Sequence, residues 1–312
     1  MTRRPQWVLT GASGWFGRTA LWEYEQLHGP EALRRDVIAC ASTARPIDIG
    51  SPHGPVSAVA LEALDSVDAA DGLIHLAFLT RDRVAAVGLE HYVAGNRAIT
   101  ARVADFIGRH PGIPIVTTSS GAAAVFDAAA VDLDGDPYAA LKQEEEALWR
   151  RSGAERMAMV FRVYAASGRF IKDPTVFALS DFLCKALAGE RIELRSERPV
   201  IRSYVHVGTM MRLFWSMLEK PAGPGFLQVD AAMQTMSLVE LAEAITAEWG
   251  LPDPLFRIDP SLPADDYRAD SGPFRQLLRQ YAIDAPGLVE QLQETAQHMA
   301  YARDQPNPAQ CS

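Results

Sequence analysis

The sequence predicts an α/β protein: a doubly wound parallel sheet followed by a smaller carboxy-terminal α/β domain. Three observations carry that expectation. Short apolar runs alternate with amphipathic stretches through the first half of the chain, as strand–helix–strand units do when helices cover both faces of a sheet. The first apolar run passes straight into a glycine-rich turn, Thr10-Gly11-Ala12-Ser13-Gly14-Trp15-Phe16-Gly17, followed by a helix-like stretch. After about Tyr164 the rhythm loosens and breakers become frequent, which marks a second, less regular region.

Taken in order, the strand candidates are Trp7–Leu9, Val37–Ala41, Val56–Ala60, Gly72–Leu76, Ile113–Thr118 and Met157–Arg162. Each is a short run rich in β-branched or other apolar residues. Helices are predicted between them at Arg18–Leu27, Leu61–Val67, His91–Arg109 and Tyr138–Ser152, where apolar residues recur at helical spacing. His110-Pro111-Gly112 ends one helix before the next strand. In the second half, Asp173-Pro174 opens a helix over Thr175–Ala188 and Gly189 stops it. Ser203–Val207 is a short apolar segment, Thr209–Leu218 an amphipathic one, and Pro221–Pro224 a breaker cluster. Ser237–Trp249 is predicted helical and Pro252–Pro273 loop-like with short ordered pieces, while Asp304–Ser312 is polar and expected to fray.

A formal charge of −9 on 312 residues repels a phosphate backbone and argues against general nucleic-acid binding. No window reaches the length of a membrane span. Cys40, Cys184 and Cys311 are far apart and odd in number, which fits buried thiols in a reducing cytoplasm better than disulfides or a metal site.

The chemistry is concentrated in four places. Glycines suit the turn at 10–17 because its backbone must take conformations closed to residues with a Cβ. They also let a pyrophosphate approach the amides at the positive end of the helix. The second strand runs into Ser42-Thr43-Ala44-Arg45. A carboxylate there would hold the adenosine ribose of NAD and repel a 2′-phosphate; two hydroxyls and a guanidinium favour NADP, with NAD the alternative. Leu73-Ile74-His75-Leu76-Ala77 reads as a strand ending beside the cofactor, with His75 a structural residue. Tyr138 and Lys142 are four apart and share a helix face. A phenol ionises near pH 10, and a neighbouring ammonium favours the phenolate. Tyr138 is therefore the expected acid/base, with a serine of Ser119-Ser120 orienting the same substrate oxygen.

Thr10-Gly11-x-x-Gly14-x-x-Gly17, His75-Leu76-Ala77, Asn96, Ser119-Ser120, Tyr138-x-x-x-Lys142 and Arg202-Ser-Tyr-Val-His206 resemble the extended short-chain dehydrogenase/reductases, more narrowly the NAD(P)-dependent sugar-nucleotide epimerase/dehydratase group. The resemblance implies a Rossmann domain over residues 1–165 and a mainly substrate-binding domain over 166–303. Part of 200–235 returns to the first domain, and 304–312 forms a flexible tail. It implies a homodimer and a nucleotide-sugar substrate.

Carried onto this chain, Ser120, Tyr138 and Lys142 are catalytic, with Ser119 the alternative hydroxyl. Gly11, Ser13, Gly14, Trp15, Phe16, Gly17, Ser42, Thr43, Arg45, Leu76, Ala77 and Asn96 join Tyr138 and Lys142 around the cofactor. Ser119, Ser120 and Arg202 meet the substrate, Arg202 at its pyrophosphate; no metal is expected. Arg191, Arg195 and Arg198 read as surface residues and His206 as support for its strand. Two departures matter. Gly121-Ala122 stands where the dehydratases carry an Asp-Glu pair, which disfavours dehydration. Val163–Gly168 replaces the usual Asn-Pro-x-Gly segment and removes a substrate-binding Asn. The leading expectation is epimerisation by transient oxidation and re-reduction. The alternatives are an NADPH-dependent ketoreductase and a non-catalytic nicotinamide-binding regulator.

Overall fold

The computed structural model describes residues 4–125, 132–171 and 176–304. Cys311, the tail 305–312 and the helix opening at Asp173-Pro174-Thr175 lie outside them. The described residues fall into two compact units, one from Met1–Val163 and Met211–Asp230, the other from Tyr164–Met210 and Ala231–Ser312.

The elements follow one another as β1 (Trp7–Thr10), α1 (Trp15–His28), α2 (Pro30–Asp36), β2 (Val37–Ala41), β3 (Arg45–Ile47), β4 (Val56–Ala60), β5 (Gly72–His75), α3 (Arg83–Val87), α4 (Leu89–Arg109), β6 (Ile115–Ser120), α5 (Gly121–Val125), α6 (Pro137–Ser152) and β7 (Met157–Val163). After them come β8 (Ala165–Ser167), α7 (Ala178–Leu187), β9 (Val200–His206), α8 (Val207–Glu219), β10 (Gly225–Ala231), β11 (Gln234–Ser237), α9 (Leu238–Trp249), β12 (Asp265–Tyr267), α10 (Gly272–Gln280) and α11 (Leu288–Asp304).

The first unit is built on an eight-stranded sheet in the order β10-β7-β6-β5-β1-β2-β4-β3. From β7 to β4 every pairing is parallel, and β3 runs against β4. Both faces are covered, which is why these strands read as unbroken apolar runs. On one face Val8, Cys40, Leu73, Ile115 and Val160 pack with Phe106 and Ile107 of α4 and Trp149 of α6. On the other, Phe161 meets Phe214 at 4.8 Å, and Trp215 donates its indole N–H to the Ala20 carbonyl of α1 at 2.9 Å. Burial pushes the Cys40 thiol up to about 12, which suits an inert core residue.

The strand order reverses at β1: β2 lies on one side and β5 on the other. In a sheet of this kind the crevice beyond the strand ends at such a point is where ligands bind. Thr10 and His75, the last residues of β1 and β5, face each other there in register.

The second unit holds a four-stranded sheet in which β9 pairs with β8, β11 and β12, packed with α7, α9 and α11. A capping box fixes the start of α9: Ser237 accepts from the Glu240 amide while Glu240 accepts from the Ser237 amide. Gly250 ends it in the left-handed conformation.

The structure corrects a sequence expectation in detail. Leu61–Val67 is a 3-10 turn over Leu61–Ser66, not an α-helix, because its apolar residues span too few turns to build one. Arg45, which follows the second strand, itself opens the edge strand β3. The segment Pro252–Pro273, by contrast, is as expected, and β12 with its three residues Asp265–Tyr267 is one of its short ordered pieces.

Candidate active site

The glycine turn is tight for reasons visible in its surroundings. Gly11 has φ +70°, and a Cβ on it would lie 2.5 Å from the Leu76 carbonyl carbon and 2.6 Å from the Ala77 nitrogen. A Cβ on Gly17 would overlap the Gly11 carbonyl oxygen. Only glycine lets the first turn of α1 and the end of β5 close on the loop in this way. The Gly14 amide donates to the Gly11 carbonyl at 3.0 Å. Gly14 caps α1 without a side chain, and the first turn, Trp15-Phe16-Gly17, holds no carboxylate. The helix therefore offers its positive end to an anion, and these residues fit a dinucleotide pyrophosphate.

Beyond the end of β2, Ser42 and Thr43 are exposed. Arg45 turns back across the glycine loop and donates to the Ser13 hydroxyl at 2.9 Å. A guanidinium, the Ser13 hydroxyl and two further hydroxyls thus stand together between the end of β2 and the glycine loop, and the turn itself holds no carboxylate.

The helix α6 supplies the rest. Asp136 caps it by accepting from the Ala139 amide, Pro137 sits in the first turn, and Arg81 pairs with Asp136 at 2.7 Å. Tyr138 is packed edge-on by Phe78 at 5.7 Å, and the Arg81 guanidinium lies 5.2 Å from its ring centre. Lys142 is buried. Its ammonium donates to the Thr118 carbonyl at 3.0 Å and to Glu145 at 2.9 Å, and it lies 3.7 Å from the centre of the Phe78 ring. Glu145 in turn is bonded to His75 Nε2 at 2.9 Å, and His75 Nδ1 meets the Thr10 hydroxyl at 2.7 Å. Burial works against ionising Glu145, but Lys142 and His75 outweigh it and hold the carboxyl at about 2. Next along the helix, Glu146 grips Arg162 of β7 with two bonds of 2.9 and 2.7 Å.

Ser120 ends β6, and its hydroxyl oxygen accepts from the Ala122 amide at 3.2 Å, so α5 starts on the serine. The Ser119 hydroxyl is buried with no hydrogen-bond partner among the described residues. Asn96 spends both ends of its amide on Leu79, accepting from its N–H at 2.7 Å and donating to its carbonyl at 3.3 Å. It fixes the loop carrying Leu76, Ala77 and Phe78 rather than pointing an open group outward. The first unit thus gathers the glycine turn, Arg45, Leu76, Ala77, Asn96, Ser119, Ser120, Tyr138 and Lys142.

Arg202 belongs to the second unit. There it donates to both carboxylate oxygens of Asp265, at 3.2 and 2.7 Å, and to the Asp265 carbonyl. Its contact with Asp265 holds that carboxyl below the usual range. His206 accepts from the Thr209 amide at 3.2 Å and faces Glu294 at 3.1 Å, a capping and packing role.

Glu145 and Phe78 were not singled out by sequence reasoning. The available signal for Glu145 was its spacing, three residues beyond Lys142 and seven beyond Tyr138, which returns to the same helix face.

The comparisons with known proteins agree with this architecture. Residues 7–227 match the model of the NAD dependent epimerase/dehydratase family. A dTDP-4-dehydro-6-deoxy-D-allose reductase from Streptomyces sp is 38% identical over 85 residues, which is 27% of this chain and 25% of that protein's length. A UDP-glucose-4-epimerase structure from Stenotrophomonas maltophila, with bound NAD and formylated UDP-arabinopyranose, aligns over 97% of this chain and 100% of its own at a TM-score of 0.73 and 18% identity. A UDP-N-acetylglucosamine 4-epimerase from Methanobrevibacter ruminantium, in complex with UDP-N-acetylmuramic acid, aligns over 96% and 100% at 0.71 and 17%. With a family match that spans the glycine turn, the Tyr138–Lys142 helix and most of the parallel sheet, the chain belongs to the NAD dependent epimerase/dehydratase family.

Proposed function

We propose that this enzyme moves hydride at a carbinol or keto carbon of a nucleotide-linked sugar, in an epimerase-type reaction of oxidation and re-reduction. The observation that carries the reading is the α6 face. Tyr138 and Lys142 share it, and the Lys142 ammonium is buried against Glu145 and the Thr118 carbonyl, next to the strand ends that support the glycine turn. Tyr138 exchanges the proton of the sugar oxygen, Ser120 orients that oxygen, and Lys142 favours the phenolate. The turn from Gly11 to Gly17, with Leu76 and Ala77, holds the dinucleotide, whose nicotinamide supplies the hydride acceptor and donor when bound. Gly121 and Ala122 follow the serine and carry no proton-transfer group, so elimination of water is not part of the cycle. Arg202 binds the substrate diphosphate by exchanging Asp265 for it, and the enzyme works as a homodimer.

A second reading, net reduction of a keto sugar by NADPH, is favoured by the Arg45–Ser13 contact. A guanidinium at that place suits a 2′-phosphate, and an exchangeable NADPH suits a reductase. The partial likeness to a sugar-nucleotide reductase points the same way.

One experiment separates the readings. The enzyme is incubated with UDP-hexoses and, in parallel, with a dTDP-4-dehydro-6-deoxy sugar and NADPH. Interconversion of sugars without net change in nicotinamide absorbance marks the epimerase; stoichiometric loss of NADPH marks the reductase. In either case Tyr138→Phe lowers turnover by about 100-fold or more while dinucleotide binding persists. Unaltered turnover in that variant would remove Tyr138 from the chemistry.

A further inference from the structure

A fully buried carboxylate stands one turn beyond Lys142, and the proposed acid–base chemistry has no direct use for it. Glu145 is 3% exposed. Burying an ionised carboxylate costs several kcal/mol unless its partners compensate, and a leucine would fill such a position without that cost. Among the described residues Glu145 is bonded to Lys142 Nζ and His75 Nε2, each at 2.9 Å.

The direction of the bonds follows from the Thr10 hydroxyl. Its oxygen already accepts from the Leu76 and Ala77 amides, at 3.3 and 3.4 Å. Its proton is therefore donated to His75 Nδ1, which leaves the imidazole proton on Nε2. His75 then donates from Nε2 to Glu145 at 2.9 Å, and the edge of the Trp149 ring system, 5.8 Å away, fixes the imidazole plane. The result is one connected line: glycine turn, Thr10, His75, Glu145, Lys142. The charged and titratable groups around this line are Glu146 with Arg162, Arg81 with Asp136, and the Tyr138 phenol on the Lys142 face of α6. The remaining contacts of the Lys142 ammonium, the Thr118 carbonyl and the Phe78 ring, carry no net charge.

We propose that Glu145 is a positioning residue that keeps Lys142 a charged ammonium and aims it, through a line of bonds anchored at Thr10 beside the dinucleotide turn. This rests on the reading of Lys142 as a group that holds the dinucleotide and supports Tyr138. Without the carboxylate, the hydrogen-bond partner left to the buried ammonium among the described residues is the neutral Thr118 carbonyl, and burial favours the uncharged amine.

The test uses NADPH as the probe and nicotinamide fluorescence as the readout, from about pH 7 to 9.5, a range in which a protected ammonium keeps its charge. The parent enzyme is expected to bind NADPH with nearly constant affinity across this range. Glu145→Gln keeps the side-chain volume and an acceptor for His75, and its affinity is expected to fall about 10-fold as the pH rises, the loss of one charge-assisted bond. Glu145→Asp, which keeps the charge, is expected to restore a level profile. A Glu145→Gln profile parallel to the parent's would overturn the proposal and leave Glu145 a structural residue. Should Glu145→Gln not fold, a steep fall in the parent's own affinity over the same range would overturn it equally. If the parent binds neither NADPH nor NADH, the reading of the dinucleotide site fails instead, a different result from parallel profiles.

Discussion

At the scale of single residues, the NADPH reading proposed above rests on Arg45. Its guanidinium crosses the glycine loop to Ser13 and meets no carboxylate at the end of β2. Replacing it with Ala is expected to weaken NADPH about 10-fold and leave NADH within about twofold, since only NADPH has a 2′-phosphate for it to grip. Titrations of both dinucleotides check this, and equal losses would show that Arg45 stiffens the loop instead. Gly11 is just as specific. Gly11→Ala would force a side chain onto the Leu76–Ala77 backbone at positive φ, and both dinucleotides should lose binding together. The Tyr138–Lys142 pair was legible in the sequence because its chemistry and its spacing coincide. Glu145 was not, because Gln143-Glu144-Glu145-Glu146 reads as one solvated acidic stretch. Packing separates its members: Glu144 is exposed in a pair with Arg97, whereas Glu145 and Glu146 are buried. One step of about 100° around the helix turns a surface charge into a core charge.

At the scale of elements, the interior strands were the readable part. β1, β2, β5, β6 and β7 are covered on both faces and needed apolar residues at nearly every position. Edge elements carry no such obligation. β3, β11 and β12 have three or four residues each, take their pairing from a neighbour, and left no periodic signal. The helix α6 is held to β7 by the buried Glu146–Arg162 pair, and this can be tested by energetics. Removing one partner leaves the other charge buried and unpaired, so Arg162→Met is expected to destabilise the protein by about 3–5 kcal/mol. The double change Arg162→Met with Glu146→Leu should recover most of that loss, because two apolar chains can fill the space without a desolvated charge. Urea unfolding of both variants reads the difference. A double variant no more stable than the single one would mean that the pair sets the geometry of α6 against the sheet and not merely its own charge balance.

At the scale of the whole molecule, acid is the condition to which the architecture is most exposed. Each unit has a carboxylate held far below its ordinary range: Glu145 in the first, and Glu294 in the second, where His206 and Arg169 outweigh burial and keep the carboxyl at about 2. An unfolded glutamate takes up its proton near pH 4.3. The stabilisation these groups contribute is therefore complete above that value and disappears as the pH falls toward about 2. Glu294 is the better group to test, since it lies outside the proposed chemistry. Discounted for partial exposure, its contribution is about 2 kcal/mol at neutral pH. Glu294→Gln is expected to lower the second unit's stability by that amount at pH 7, and the gap to the parent should close between about pH 4 and 2 as the parent's own carboxylate is protonated. Thermal unfolding across that range measures the gap. A gap that stays constant down to the lowest pH would mean that Glu294 acts by packing and hydrogen-bond geometry, with its charge contributing nothing to the hold on β9 and the start of α8.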